Sequence, residues 1–144
     1  MLIGEYRHSL DPKKRLSLPS KFRKELGKKV IVTRGLDTCL FVYSESEWKK
    51  LTQKFSELSL GSDASRGFNR FMLSGAVDTE VDSAGRVLIP DYLKTFAGLK
   101  TDVVLAGVGS RVEIWDESRW LSYTKQIETD ANRMASKLSE TGSI

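Results

Sequence analysis

The hydrophobic and polar positions of the chain follow one pattern that occurs twice. Each copy begins with a partly alternating segment, 4–11 or 75–82, and this alternation predicts a strand. An Asp…Arg stretch follows and leads into a short apolar strand that ends at a proline, in 16–19 and again in 87–90. Since Asp11 and Asp82 stand 71 positions apart in matching surroundings, the pattern indicates one structural unit written twice.

The remainder of each copy predicts a short helix, two strands and a longer helix. A proline opens each short helix, and an S-x-x-E capping box at 44–47 precedes the first long helix. A stripe from Trp120 to Leu138 predicts the second long helix, followed by a frayed tail from Ser139. One residue added near Leu99 raises the offset between copies to 72, which aligns Gly35 with Gly107. The predicted segments are helices 19–27 and 90–98, and strands 30–32, 103–105, 39–43 and 111–115.

These elements are too short for either copy to bury a core by itself. We therefore expect one shared core, an intertwined β-barrel with helices packed outside, in an α+β protein that is mainly β. The predicted division is a first module over 1–58, a connecting loop and helix over 59–74, and a second module over 75–144.

Composition removes several classes of protein. The 144 residues include one cysteine and one histidine, which excludes an intrachain disulfide and makes a catalytic triad or a histidine-rich metal site nearly unavailable within one chain. Cys39 lies in an apolar run and is expected to be a small core residue. With no apolar signal region or membrane-length run, the sequence predicts a cytoplasmic protein without a membrane partner.

The charge is modest in total and uneven along the chain. The net charge is +4, but residues 1–74 carry +7 and residues 75–144 carry −3. Ten of the basic residues lie between Arg7 and Arg34, where there are only two acids. Such a local excess favours a polyanionic partner such as nucleic acid, although a solvated lysine-rich surface would have the same composition.

The first Asp…Arg stretch has the chemistry of a DNA contact. An arginine can bond O6 and N7 of guanine together, and a two-stranded β-ribbon fits the major groove. Arg15 and Arg86 are therefore the candidate base-reading residues, with Lys13 and Lys14 as phosphate contacts. Arg7 and His8, on the strand that enters the first stretch, are further candidates. Alternatively, the arginines only form ion pairs that fix the shape of each turn.

The turn residues predict how the two stretches are shaped. Asp11 and Asp82 can bond loop amides, and Gly85 suits a position with positive φ. Lys14 stands where the second copy has Gly85, and a lysine with positive φ carries strain, so the two loops are expected to differ in detail. Because acidic residues precede the second loop, the first loop is expected to supply most of the affinity.

No constellation of residues indicates catalysis. Asp78, Glu80 and Asp82 alternate along one predicted strand and would permit a weak divalent-cation site, but a solvated strand face has the same pattern. A phosphate-binding glycine loop, a nucleophile elbow and a histidine-containing metal motif are all missing. The sequence thus predicts no enzyme, no catalytic residue, no metal and no cofactor.

A set of residues spread over nearly the whole chain forms one recognisable pattern: Gly4, Leu10-Asp11, Arg15 and Pro19, then Ser74-Gly75-Ala76, Asp82, Gly85-Arg86, Ile89-Pro90, Gly107-Val108-Gly109, Glu113-Ile114-Trp115 and Trp120. With this pattern the chain resembles the MraZ family of bacterial regulators. The resemblance implies two tandem AbrB-like swapped-hairpin modules, ring-like homo-oligomers and association with the nucleoid. It also implies control of the division and cell-wall gene cluster, through short G-rich direct repeats in double-stranded promoter DNA, with no small-molecule substrate.

The resemblance carries the family's D-x-x-x-R arginines onto Arg15 and Arg86. The family has glycine before the arginine in both copies, so Lys14 is a departure from its pattern. A different class of function stays open: an antitoxin-like or assembly module whose basic hairpin binds an acidic protein.

Overall fold

The computed structural model of the protein describes residues 1–144. Its strands are β1 (Leu2–Ser9), β2 (Arg15–Ser17), β3 (Lys29–Arg34), β4 (Leu40–Ser44), β5 (Val77–Glu80), β6 (Arg86–Leu88), β7 (Asp102–Gly109) and β8 (Val112–Asp116). Its helices are α1 (Ser20–Leu26), α2 (Glu45–Ser56), α3 (Asp63–Asn69), α4 (Asp91–Ala97) and α5 (Glu117–Glu140), and a π-helical turn, Arg70–Ser74, follows α3. The predicted order of elements is confirmed in both copies.

The helix boundaries follow local signals in the sequence. Pro19 and Pro90 directly precede α1 and α4. The first N–H groups of a helix have no partner within it, so the N–H that proline lacks costs no hydrogen bond there. The hydroxyl of Ser44 accepts a hydrogen bond from the amide of Glu47 at 3.2 Å, as the capping box predicts. Helix α5 continues to Glu140, so the predicted fraying from Ser139 starts too early.

Most strand pairs join one copy to the other. The six-stranded antiparallel sheet has the order β1-β7-β8-β4-β3-β5, and β2 pairs with β6 in a separate two-stranded ribbon. Exchanging equivalent strands of the two copies (β1 with β5, β3 with β7, β4 with β8) gives the same order counted from the opposite edge of the sheet. The chain therefore has an internal pseudo-twofold axis, and neither half contains the complete sheet.

The fold class is α+β, with eight strands and five α-helices. The predicted single intertwined barrel is not confirmed, because the hydrogen-bonded strands form two sheets whose ladders do not join. A core shared by the two halves is present, since the larger buried cluster takes residues from both copies.

The pairing register changes the predicted alignment of the copies. Val30 and Val103 hold equivalent buried positions on β3 and β7, which is an offset of 73 residues. Gly35 and Val108 each donate the backbone hydrogen bond that closes the following turn. Gly35 is therefore equivalent to Val108, and the predicted match with Gly107 is wrong, because two residues rather than one are added before β7.

Two clusters of buried side chains arrange the elements in layers. Alternate residues of β4 belong to different clusters: Leu40 and Val42 to the larger, Phe41 and Tyr43 to the smaller. Because alternate residues point to opposite faces, the clusters lie on opposite sides of the six-stranded sheet. The β2–β6 ribbon, α1 and α4 cover the larger cluster, and α2, α3 and α5 cover the smaller one. The ribbon and the long helices thus lie on opposite sides of the molecule.

Helix α5 changes character along its length. The rings of Trp120 and Tyr123 pack on Trp115, with ring centroids 5.4 and 4.9 Å apart. From residue 131 onward every side chain is exposed, including Met134 of the predicted stripe. No helix combines the length and apolar character that crossing a membrane requires.

Candidate nucleic-acid interface

Both Asp…Arg stretches form the same three-residue turn. The amide of Lys14 donates to the carbonyl of Asp11 at 2.9 Å, and the amide of Asp11 donates to the carbonyl of Arg15 at 3.0 Å. The equivalent two bonds within residues 82–86 are both 2.9 Å. The third residue of each turn has a left-handed backbone conformation, with φ of 62° at Lys14 and 78° at Gly85. The two turns therefore share one backbone conformation, so the expected difference in detail between the loops does not lie in the backbone.

One aspartate carboxylate fastens each turn. Asp11 accepts hydrogen bonds from the amides of Lys13 (2.9 Å) and Arg15 (2.8 Å), and from Nε of Arg15 (2.8 Å). Asp82 accepts the three equivalent bonds at 2.9, 2.9 and 3.0 Å. The bond from the arginine amide is the main cause that holds the pKa of each carboxyl below its usual value. The intraloop ion pairs considered from the sequence are thus present.

The ribbon carries both arginines on its outer face. Leu16 lies opposite Val87 in the ladder, and both are buried in the larger cluster. Because side chains alternate along a strand, Arg15 and Arg86 project from the other face, away from the core. They form a diagonal pair across an antiparallel ladder, a relation that separates positions by about 7–8 Å. One surface therefore presents both arginines side by side.

Each arginine uses only one edge of its guanidinium within the chain. Nε of Arg15 and of Arg86 donates to its aspartate, while the Nη nitrogens donate no hydrogen bond inside the protein. The two side chains are 33% and 32% exposed. The ion pair fixes the direction of the guanidinium and leaves its terminal N–H groups free, so shaping the turn and binding a ligand are compatible roles.

The two lysines of the first turn have different surroundings. Lys13 is exposed and makes no ion pair. The ammonium of Lys14 lies 2.5 Å from the carboxylate of Asp91, the first residue of α4 in the other copy. The lysine that occupies the glycine position is therefore held by an acid from the second half of the chain.

The second turn has a cation from the first copy beside it. The side chain of Arg23 in α1 lies against Gly85, and a Cβ at that glycine would be 2.6 Å from the guanidinium carbon. Nearby, Lys29 is 3.1 Å from Asp78 and neutralises it. Strand exchange therefore brings cations of the first copy to the second turn, and these partly offset the acids that precede it in the chain.

The structure separates Arg7 from the ribbon. Arg7 contacts Glu5 at 3.1 Å and Glu117 of α5 at 3.7 Å, on the helix-covered side of the sheet. His8 shares the core-facing side of β1 with Tyr6, is half-buried and makes no side-chain hydrogen bond. Neither of these two candidates lies with the ribbon arginines.

The acidic row does not form a metal site. Asp78 is paired with Lys29, and Asp82 is committed to its own turn. The structure contains no group of three or more ligating side chains that could hold a metal ion. Cys39 is buried in the smaller cluster, and burial raises the pKa of its thiol far above the usual value.

Sequence reasoning missed Arg23 and Asp91 as parts of the two turns. Each belongs to a short helix of one copy and contacts the turn of the other copy. The repeat indicated a shared core but not which elements change partners. One difference between the copies could have revealed these contacts: the first turn has Lys14 where the second has Gly85. Because glycine has no side chain, the second turn leaves room for a side chain from another element.

Comparison with known proteins agrees with the internal repeat. A family model described as "MraZ protein, putative antitoxin-like" matches residues 1–71 and again residues 72–139. The chain is 49% identical over 142 residues to the transcriptional regulator MraZ of Caldicellulosiruptor bescii, which covers 99% of both chains. It is 46% identical over 138 residues to that of Caldanaerobacter subterraneus, covering 96% of both. It is 47% identical over 142 residues to that of Acetivibrio thermocellus, covering 99% of both.

Proposed function

The chain belongs to the MraZ family, and we propose that it is a transcriptional regulator that binds double-stranded DNA with the β2–β6 ribbon. Its relatives are named as transcriptional regulators rather than enzymes. The observation that carries the DNA contact is the outer face of the ribbon, where Arg15 and Arg86 lie side by side with free Nη groups.

The ribbon has the dimensions and donors that base reading needs. A two-stranded ribbon enters the major groove, where the N–H fork of an arginine meets O6 and N7 of guanine. In each turn the aspartate occupies Nε, so the free end of the guanidinium extends from the protein. Asp11 and Asp82 act as shaping residues, and Arg15 and Arg86 as base-reading residues.

Phosphate contacts supply the sequence-independent part of binding. Lys13 is exposed beside the first turn without an acidic partner, which suits a phosphate contact. Lys14 contributes less, because its ammonium is already paired with Asp91. Arg7 and His8 are not part of the proposed contact, because Arg7 lies on the helix-covered side of the sheet and His8 on the core-facing side of β1.

Family membership also supports the finer parts of the proposal. The regulated genes are the division and cell-wall cluster, and the bound sites are short G-rich direct repeats in its promoter. A single bidentate arginine supplies only about 1–3 kcal/mol of discrimination. Repeated sites read by several chains of a ring-like homo-oligomer raise the specificity through effective concentration. We propose AbrB-like swapped-hairpin modules acting on nucleoid DNA in the cytoplasm.

The test measures binding to promoter and scrambled duplexes by fluorescence anisotropy. Arg15→Ala and Arg86→Ala are each expected to reduce the preference for promoter DNA by about 5- to 150-fold per chain bound, which corresponds to about 1–3 kcal/mol. Lys125→Ala removes the same charge from α5, on the far side of the sheet, and is expected to leave that preference unchanged.

Two results would contradict the proposal. A folded Arg15→Ala/Arg86→Ala variant that still prefers promoter DNA would remove the ribbon from base reading. A wild-type chain that binds neither duplex better than an unrelated acidic polymer would favour the alternative, an antitoxin-like or assembly module with an acidic protein partner.

A further inference from the structure

We infer that Arg23 is a phosphate contact of the second turn, so that the DNA surface around Arg86 is built from both halves of the chain. The inference rests on the proposed function for the identity of the polyanion. It concerns a residue that neither the D-x-x-x-R pattern nor the family resemblance singles out.

The position of Arg23 carries the inference. Its guanidinium lies over Gly85, directly before Arg86 in the chain. Together with Lys28 it lines a cleft of about 350 Å³ beside the second turn, whose other walls are Gly27, Val81, Asp82, Ser83 and Gly85. Two cations thus border the same turn from which Arg86 extends.

The charge of Arg23 is not used inside the protein. Arg23 takes part in no ion pair and no side-chain hydrogen bond, although it is half-buried. The only carboxylate in the cleft, Asp82, already accepts three hydrogen bonds from its own turn. A positioned guanidinium with free donors is suited to a phosphate oxygen, since arginine matches phosphate geometry with two parallel N–H groups.

The glycine explains why the guanidinium is held there. Because residue 85 has no side chain, Arg23 of α1 can lie across the turn. This packing restricts the long Arg23 side chain to fewer conformations. In the first turn Lys14 fills the equivalent space and is tied to Asp91. The first turn therefore carries its own cation against an acid from the other copy, and the second turn receives a cation from the other copy.

The test compares Arg23→Ala with Lys24→Ala, its neighbour on the same helix. Both remove one positive charge from α1, but Lys24 does not line the cleft of the second turn. Binding to promoter and scrambled duplexes is measured between 0.05 and 0.3 M salt (about a sixfold range, chosen so that counterion release dominates). Thermal unfolding of each variant checks that it is folded.

For Arg23→Ala we expect the slope of log K against log salt to fall by about 0.9 for each chain bound. At about 0.1 M salt this corresponds to roughly eightfold weaker binding per chain, equal for both duplexes because phosphate carries no sequence. Arg23→Lys, which keeps the charge, is expected to retain most of the slope. A purely structural role would change the unfolding temperature and leave the slope unchanged.

The outcomes separate this inference from the proposed function. If promoter binding is normal and Arg23→Ala behaves like Lys24→Ala, Arg23 is no contact and the proposed function stands. If the wild type shows no preference for the promoter but Arg23→Ala still flattens the slope, the phosphate contact stands and specific regulation fails. If the wild type binds no duplex at all, both are overturned.

Discussion

Replacing Gly85 by alanine tests the packing of the second turn most directly. The residue has φ of 78°, and a Cβ there would lie 2.6 Å from the guanidinium carbon of Arg23 and 2.9 Å from its Cδ. Both distances are shorter than non-bonded carbon contacts allow, so Arg23 must move away. The substitution therefore adds backbone strain and removes the contact between the two copies at this turn.

The expected cost has two parts. A left-handed conformation costs an alanine about 1–2 kcal/mol, and the lower entropy of the unfolded alanine chain returns about 0.4–1 kcal/mol of this. Forcing the Arg23 side chain away from its rotamer adds about 0.5–1.5 kcal/mol. Gly85→Ala should therefore lower the free energy of unfolding by roughly 1–2 kcal/mol, or about 3–6 °C in unfolding temperature for a chain of this length.

A double-mutant cycle separates the two parts. In an Arg23→Ala background the side chain that clashes is absent, so Gly85→Ala should cost only the backbone part, about 1 kcal/mol. The four proteins are compared by thermal unfolding at equal concentration, because self-association shifts the midpoint. Gly85→Ala should also flatten the salt slope of DNA binding as Arg23→Ala does. Strictly additive costs, with an unchanged slope, would refute the reasoning.

Three further predictions concern charges elsewhere in the structure. Lys14→Gly should leave the free energy of unfolding within about 1 kcal/mol of wild type in urea titrations, since relief of a strained φ offsets the loss of the exposed pair with Asp91; a loss above about 2 kcal/mol would show a strong pair. Asp82→Asn should destabilise the protein at neutral pH, and the difference from wild type should narrow as pH falls below the unfolded-state pKa of an aspartate, about 4, because the carboxylate stabilises the fold only while it is ionised; a difference that does not change with falling pH would contradict this. Arg111→Ala should lower the free energy of unfolding by about 3 kcal/mol, because it leaves the buried carboxylate of Glu113 without its cation. Thermal unfolding measures this loss, and the control Lys125→Ala should change the unfolding temperature little.

The sequence predicted the elements well and their partners poorly. Alternation, prolines and the capping box at Ser44 depend on nearby residues, so the order of strands and helices could be read directly. The same turn chemistry correctly suggested a positive φ at Gly85. Which strand pairs with which depends on contacts between distant segments, and the pattern of residues does not specify them. The placement of Arg23 and Asp91 was missed for that reason.

Covalent fusion of the two copies has a physical consequence at the pseudo-twofold axis. In a homodimer of one module, residues on the axis would face their own copies. Here β4 and β8 pair so that Phe41 lies opposite Glu113, although the two positions are equivalent in the repeat. Two glutamates directly opposite would repel each other. Instead Arg111 binds Glu113 at 2.8 and 3.0 Å and lies 4.3 Å from the ring centroid of Phe41.

The two Asp…Arg turns, on the proposed DNA-binding surface, also differ between the copies. A symmetric pair of modules would have two turns with lysine and its acid, or two turns with glycine and its arginine, and could not have one of each. Because both copies are in one chain, Lys14 with Asp91 and Gly85 with Arg23 can coexist in each molecule. If the charge on Arg23 acts on phosphate, the fused chain presents the two arginines proposed to read bases in equivalent geometry but with different electrostatic surroundings. Each chain would then have a defined polarity on DNA, as direct repeats require and inverted repeats do not.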